Sequence, residues 1–227
     1  MSETDCLLPL ISDTAKADQS AWMCELLAGY VTSADTGNET LVITSREVLC
    51  EFCEESQEKL DMVCRALVRN IRDHQGQDRL LTPTLEIVSF LLNVGLMQRS
   101  GEVDARTLAS LMQKSAYKSS NVRKIETCTK VYGGIARLEE EDRSQVRMKR
   151  VEEGIVESKK RLGAMLYHPW PRVRTYVVDE LWSIFAEEED EEGEDVSLAA
   201  ELKGMDWGRA PKDVVRRVVE KLGIETT

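Results

Sequence analysis

The side chains with the most specific chemistry in this 227-residue chain are six cysteines and two histidines. Cys50 and Cys53 form a Cys-x-x-Cys spacing, with Cys64 and His74 downstream. That set can be offered as a zinc site. The spacing favours burial over zinc or thiol redox chemistry, because Cys50 and Cys53 fall inside a helical apolar stripe and free cysteine is among the most buried residue types. His168 sits in a Pro-rich junction beside Trp170. As a general base it has no serine or cysteine partner nearby in the sequence, so capping or packing is the preferred reading. His74 follows Asp73 near a helix end, where a partly positive imidazole is favourable. No GxxxxGKS phosphate loop, GxGxxG turn or GxSxG elbow occurs. Choosing a catalytic pair among 41 carboxylates on solvated helix faces would be arbitrary. The residues therefore point to a non-enzyme that needs no cofactor or metal.

Composition narrows the class further. Apolar residues make up 42%, enough to bury a core. Gly and Pro together number only 18 and aromatics reach 5%, which argues against sandwiches and barrels and toward helices. A net charge of −11 opposes generic nucleic-acid binding. No run of 18 apolar residues is present, so no membrane span is expected. The first residues, MSETDCLLPLISD, lack the basic flank and apolar run of a signal peptide, and the default location is cytoplasmic with reduced thiols.

Helical periodicity must position these groups. Leu60, Val63, Cys64, Leu67, Val68 and Ile71 form one stripe of a 3.6-residue helix. Before it, Thr44 and Glu47 have capping-box spacing, with Val48, Leu49, Phe52 and Cys53 as the buried side. Residues 20–34 read as an earlier helix with Trp22, Leu26 and Leu27 inward. A further helix is expected to start at Thr82-Pro83 and to run through Leu85, Val88, Leu92 and Leu96. Helices at 104–117, from Ser120 or Asn121, and over 143–166 follow. His168-Pro169-Trp170-Pro171 ends the last of these, and Pro171 opens the next, lined by Val173, Val177, Leu181, Ile184 and Phe185. Short helices near 197–203 and 211–222 close the chain, the last ending at Gly223.

Two charge clusters interrupt this pattern. Residues 187–195, EEEDEEGED, hold eight acidic side chains and should stay extended and solvated. Seven basic residues between Arg143 and Arg161 alternate with Glu152, Glu153 and Glu157, which reads as a solvated face rather than a binding stripe. The expected fold is all-α, with HEAT/armadillo-like stacked antiparallel helix pairs forming an α-solenoid segment. Its expected divisions are a repeat region over 1–185, a disordered acidic loop over 186–196 and C-terminal capping helices over 197–227. Val-Arg steps in the first turn at 122–123 and 173–174 are a HEAT-like feature.

Residues 121–138, NVRKIETCTKVYGGIARL, and 166–182, LYHPWPRVRTYVVDELW, resemble the C-terminal region of tubulin-folding cofactor D. His168, Pro169, Trp170, Pro171, Val173 and Arg174 match its His-Pro-aromatic-Pro motif and the Val-Arg step that follows. The closing segment from Asp206-Trp207 to Gly223 is also similar. The resemblance is carried by 119–224, whereas 1–118 agrees in helical character and order. The connector EEEDEEGED is more acidic than is usual in the family. Family members are several times longer, so this chain is expected to be a C-terminal fragment. The resemblance implies a chaperone scaffold on microtubule-cytoskeleton proteins. Implied partners are β-tubulin or the αβ-tubulin dimer, cofactors C and E and an Arf-like small GTPase. It also implies membership of a complex that activates GTP hydrolysis with an arginine supplied by cofactor C. Arg172 and Arg174 are the candidate partner contacts. The alternative is a generic HEAT-type scaffold for another cytosolic complex.

Overall fold

The computed structural model describes residues 27–30, 39–116, 118–139, 145–192 and 198–224, with backbone alone at 41, 145–147, 187–192, 198 and 199. All regular structure among them is helical, and the fold is all-α and solenoid-like, built of packed helix pairs. The chain divides into two compact units, Met1–Val103 and Asp104–Thr227. This division falls inside the region read from sequence as one run of repeats.

In the first unit, residues 27–30 are helical, and α1 (Glu39–Glu54), α2 (Gln57–Asp73), α3 (Asp78–Asn93) and α4 (Leu96–Arg99) follow. Helix α1 begins at Glu39, so Thr44 is an exposed mid-helix residue and not the expected cap. The buried stripe of α1 runs Ser45, Leu49, Phe52 and Cys53. Ser45, a small polar residue, extends that stripe a turn upstream of its apolar part, and the Tyr30 hydroxyl donates to its carbonyl. Trp22 and Leu26 lie outside the described residues, while Leu27 is buried. Ser56 caps α2, its side chain accepting from the Lys59 amide at 3.2 Å. Leu60, Val63, Cys64, Leu67 and Ile71 are fully buried, each contributing on the order of 1.5–3 kcal/mol.

Helix α3 also starts earlier than its sequence signal. Its first residue is Asp78, and Pro83 lies inside it. Two amides, Leu80 and Leu81, already bond to the Gln77 carbonyl. A proline at the sixth position removes one backbone hydrogen bond. Burial of Leu81, Leu85, Val88 and Leu91 outweighs that cost. Gly95 then adopts φ +75° and breaks the stripe before Leu96, giving the separate turn α4. The segment after α4 is pinned to one face of α2. Asp61 Oδ1 accepts from Ser100 Oγ at 2.7 Å and from the Gly101 amide at 2.9 Å. Gln57 Nε2 donates to the Arg99 carbonyl, and Arg65 pairs with Glu102 at 2.8 Å. Residues 57, 61 and 65 share a face because they are four apart.

The second unit holds α5 (Ala105–Ala116), α6 (Val122–Ala136), α7 (Gln145–Met165), α8 (Pro171–Glu192), α9 (Leu198–Gly204) and α10 (Lys212–Lys221). Helices α5 and α6 form one pair, α7 and α8 the next, and α7 packs on both members of the first. Asp104 starts α5, its Oδ1 accepting from the Thr107 amide at 2.8 Å, while its other oxygen pairs with Arg150 of α7. Beside that pair Gly154 meets α5 backbone to backbone. A Cβ on Gly154 would lie 2.6 Å from Ala105 Cβ and 2.9 Å from the Arg106 nitrogen.

Burial raises the Asp104 carboxyl, but hydrogen bonds from Thr107 and Arg150 more than offset this and hold it below its usual value. An acid depressed in the folded state stabilises above its unfolded pKa and loses that contribution as pH falls through the folded one. Asp104→Ala is therefore expected to cost about 1 kcal/mol at pH 7. The gap from wild type should narrow below about pH 4. Urea unfolding at pH 7 and pH 3 checks both statements.

Asn121, one of the two expected caps, accepts from the Lys124 amide at 3.2 Å. Helices α6 and α8 run in the same direction. Glu126 lies beside Arg172 and Tyr176 near their starts, and Arg137 pairs with Glu180 further along. Helix α8 continues to Glu192. The acidic stretch is thus helical through its first six residues rather than extended, because it prolongs a helix already anchored by Val177, Leu181 and Ile184. Residues 193–195 lie outside the described part. Helix α10 closes with paired Gly223-to-Glu220 and Ile224-to-Val219 amide–carbonyl bonds, Gly223 having φ +64°. Ile224 is buried against Gly163 of α7.

Candidate protein-interaction surface

The junction between α7 and α8 brings its sequence-marked residues together, but in different roles. His168 Nδ1 accepts from the Trp170 amide at 3.1 Å, so the neutral ring carries its proton on Nε2. Burial and then the nearby Arg174 charge push the imidazole below its ordinary value, which favours that neutral form. Its ring meets Trp170 edge-on, with centroids 5.1 Å apart. The Trp170 carbonyl caps α8, accepting from the Val173 and Arg174 amides. Pro171 occupies the first helical position, where its missing N–H costs nothing. Pro169, Trp170, Pro171 and Arg172 are exposed, whereas Val173 is fully buried.

The two candidate arginines part company. Arg174 donates from Nη2 to the Gly208 carbonyl at 2.8 Å and braces the segment after α9. Its Nε is buried without a hydrogen bond. Arg172 stays on the surface. Its Nε donates to the Tyr176 hydroxyl at 2.6 Å, and its guanidinium lies over that ring, 5.6 Å from the centroid. Tyr176 in turn bonds Glu126, which also pairs with Lys130 at 2.8 Å.

Behind this surface lies a half-buried ion pair that sequence reading missed. Arg137 of α6 meets Glu180 of α8 at 3.1 Å. Burial raises the Glu180 carboxyl, and Arg137 partly offsets that. Gly133 makes room for it, since a Cβ there would come within 2.8 Å of Glu180 Cδ. The Tyr132-Gly133-Gly134 step was the available signal, but nothing in it named an acidic partner 47 residues on.

The cysteines gather around Cys53 but do not bring His74 to them. Cys53 and Cys64 are buried and Cys50 is half-buried. Burial, with neighbouring Cys64 adding to it, pushes the Cys53 thiol up to about 12, and burial does the same for Cys64. His74 sits ten residues beyond Cys64 on the same helix, about 15 Å away along its axis. It caps α2 instead, its Nδ1 3.0 Å from the Asn70 carbonyl oxygen. Among the described residues no three His, Cys, Asp or Glu side chains form a metal-sized group. No described helix is long and apolar enough to cross a membrane.

The basic cluster on α7 is largely committed. Arg150 pairs across to Asp104, Arg161 with Glu157 at 2.6 Å, and Lys159 covers the Phe185 ring at 5.3 Å. Arg143 lies outside the described residues, as does the side chain of Arg147.

The family described as "Tubulin folding cofactor D C terminal" matches residues 7–124, just over half of the chain. The chain belongs to this family. The cofactor D match covers the part in which only helical character had suggested kinship. It reaches residues 121–138 only at their first four positions and does not include the His168 junction. No curated protein and no solved structure gives a significant match. Membership assigns this cofactor D domain to the chaperones of tubulin folding.

Proposed function

We propose that this chain is a non-catalytic helical-repeat domain that binds tubulin, or the proteins that assemble it, during formation and dissociation of the αβ heterodimer. The family match carries the reading. The fold supports it, because stacked helix pairs present long surfaces that suit protein binding without a catalytic group. On this reading β-tubulin or the αβ dimer, cofactors C and E and an Arf-like GTPase are the partners. GTP hydrolysis by tubulin is stimulated within the complex by an arginine outside this chain. The site of action is the cytoplasm and the microtubule cytoskeleton. His168, Pro169, Pro171 and Val173 set the α7–α8 junction, Arg174 braces it, and Trp170 and Arg172 are its contact residues.

Sedimentation velocity with αβ-tubulin, alone and with cofactors C and E, tests this. The chain is expected to move with tubulin in at least one mixture. Sedimentation as free protein in every mixture would reject the reading.

A further inference from the structure

We propose that His168 is an acid-sensitive latch at the α7–α8 junction: its neutral ring holds the Trp170 segment in place, and a proton on Nδ1 releases it. The latch stands on the geometry of the junction and is independent of the family role above. His168 is half-buried, and its Nδ1 accepts from the amide of Trp170, two residues on, at 3.1 Å. An N–H donor needs an acceptor that carries no proton, so the bond exists only in the neutral ring with its hydrogen on Nε2. Nδ1 thus takes the part that an asparagine Oδ1 plays in an Asx turn. The difference is that a ring nitrogen titrates near neutral pH.

More than one contact hangs on that bond. The His168 and Trp170 rings meet edge-on. The Trp170 carbonyl caps α8 through the Val173 and Arg174 amides. Arg174 in turn donates to the Gly208 carbonyl, and Gly208 lies beside Pro171. Once Nδ1 carries a proton, two donors face each other across 3.1 Å and the ring must turn from the amide. The Trp170 amide is then left without its acceptor, and the Trp170 ring loses its support.

The surrounding charges offer the imidazolium no compensation. Burial first, and then the like charge of Arg174 on α8, disfavour it. On α7 the nearest ionisable neighbours are Tyr167 and, about two turns back, Arg161, which pairs with Glu157. On the segment after α9, Asp206 and Arg209 flank Gly208 and lie 4.0 Å from each other. From α6, Glu126 and Lys130 serve the Arg172 and Tyr176 side of α8. Arg172 and Arg174 are two positions apart, so that side faces away from Arg174. Among the described residues His168 has no carboxylate partner. The only other histidine, His74, has its Nδ1 on the Asn70 carbonyl oxygen, so it already donates and protonation breaks nothing there.

Two-dimensional NMR with amide hydrogen exchange, run on the whole chain between about pH 7.5 and pH 5, tests the latch. His168 is expected to show the Nε2–H tautomer at the upper end and a midpoint below the ordinary histidine value. As it titrates, the Trp170 amide should lose about 10-fold in protection, measured against the intrinsic exchange rate at each pH. His168→Asn should keep its protection throughout, since Oδ1 supplies the same acceptor and takes no proton. His74→Asn should respond to pH as wild type does. Matching thermal melts at the upper pH establish that both variants are folded, and the wild-type titration stands without them. Trp170 protection that stays constant while His168 titrates overturns the proposal. An equal loss in His168→Asn, or the Nδ1–H tautomer in wild type at the upper pH, overturns it as well.

Discussion

Val173→Asp is expected to lower the unfolding free energy of the second unit by about 3–5 kcal/mol, the range for an unpaired charge forced into a core. Val173 has no accessible surface and sits in the first turn of α8, between the exposed Trp170–Arg172 stretch and the inward residues Val177 and Leu181. The aspartate must either ionise without a partner or take up a proton, and both are costly. A gain at the helix N-terminus is worth only about 0.3–1 kcal/mol and cannot reverse the sign. Urea unfolding gives the answer, with Val173→Ala separating lost packing from added charge. An unchanged midpoint for the aspartate would mean that this face of α8 meets solvent.

Gly154→Ala sets two effects of opposite sign against each other. In mid-helix the change favours the folded state by roughly 1 kcal/mol. Here the new methyl would stand 2.6 Å from Ala105 Cβ and 2.8 Å from the Ala105 carbonyl carbon. Those atoms belong to backbone or its first side-chain carbon and cannot swing away, so α5 and α7 must separate. Overpacking of this kind costs typically 1–3 kcal/mol, and separating the helices also pulls on the Asp104–Arg150 pair. The expected net is a loss of about 1–2 kcal/mol. Calorimetric or chemical melts decide it, and a stabilised variant would show that the two helices are not held in close contact here.

Such contacts mark what a single sequence leaves open. The apolar stripe from Leu60 to Ile71 and the Asn121 cap are local signals, and the described helices carry them. Thr44 and Thr82-Pro83 are local signals too, yet the helices begin upstream of both. Burial of Leu81 and the stripe that follows it outweighed the proline penalty in the second case. The acidic run was legible as charge, but repulsion alone does not stop a helix whose preceding turns are buried. At the junction, spacing marked His168 through Arg174 as one group. It could not say that Arg174 would be spent on Gly208 while Arg172 kept its η nitrogens open.

By itself, then, the sequence determined the helical class, the order of the principal helices and the junction at His168, because 3.6-residue periodicity and proline chemistry act within a few residues along the chain. Only the tertiary structure decided that Glu180 lies against Gly133 and that Asp104 joins Arg150. Those outcomes depend on which helix faces meet, and pairing between residues more than 40 positions apart leaves no periodic trace in the chain.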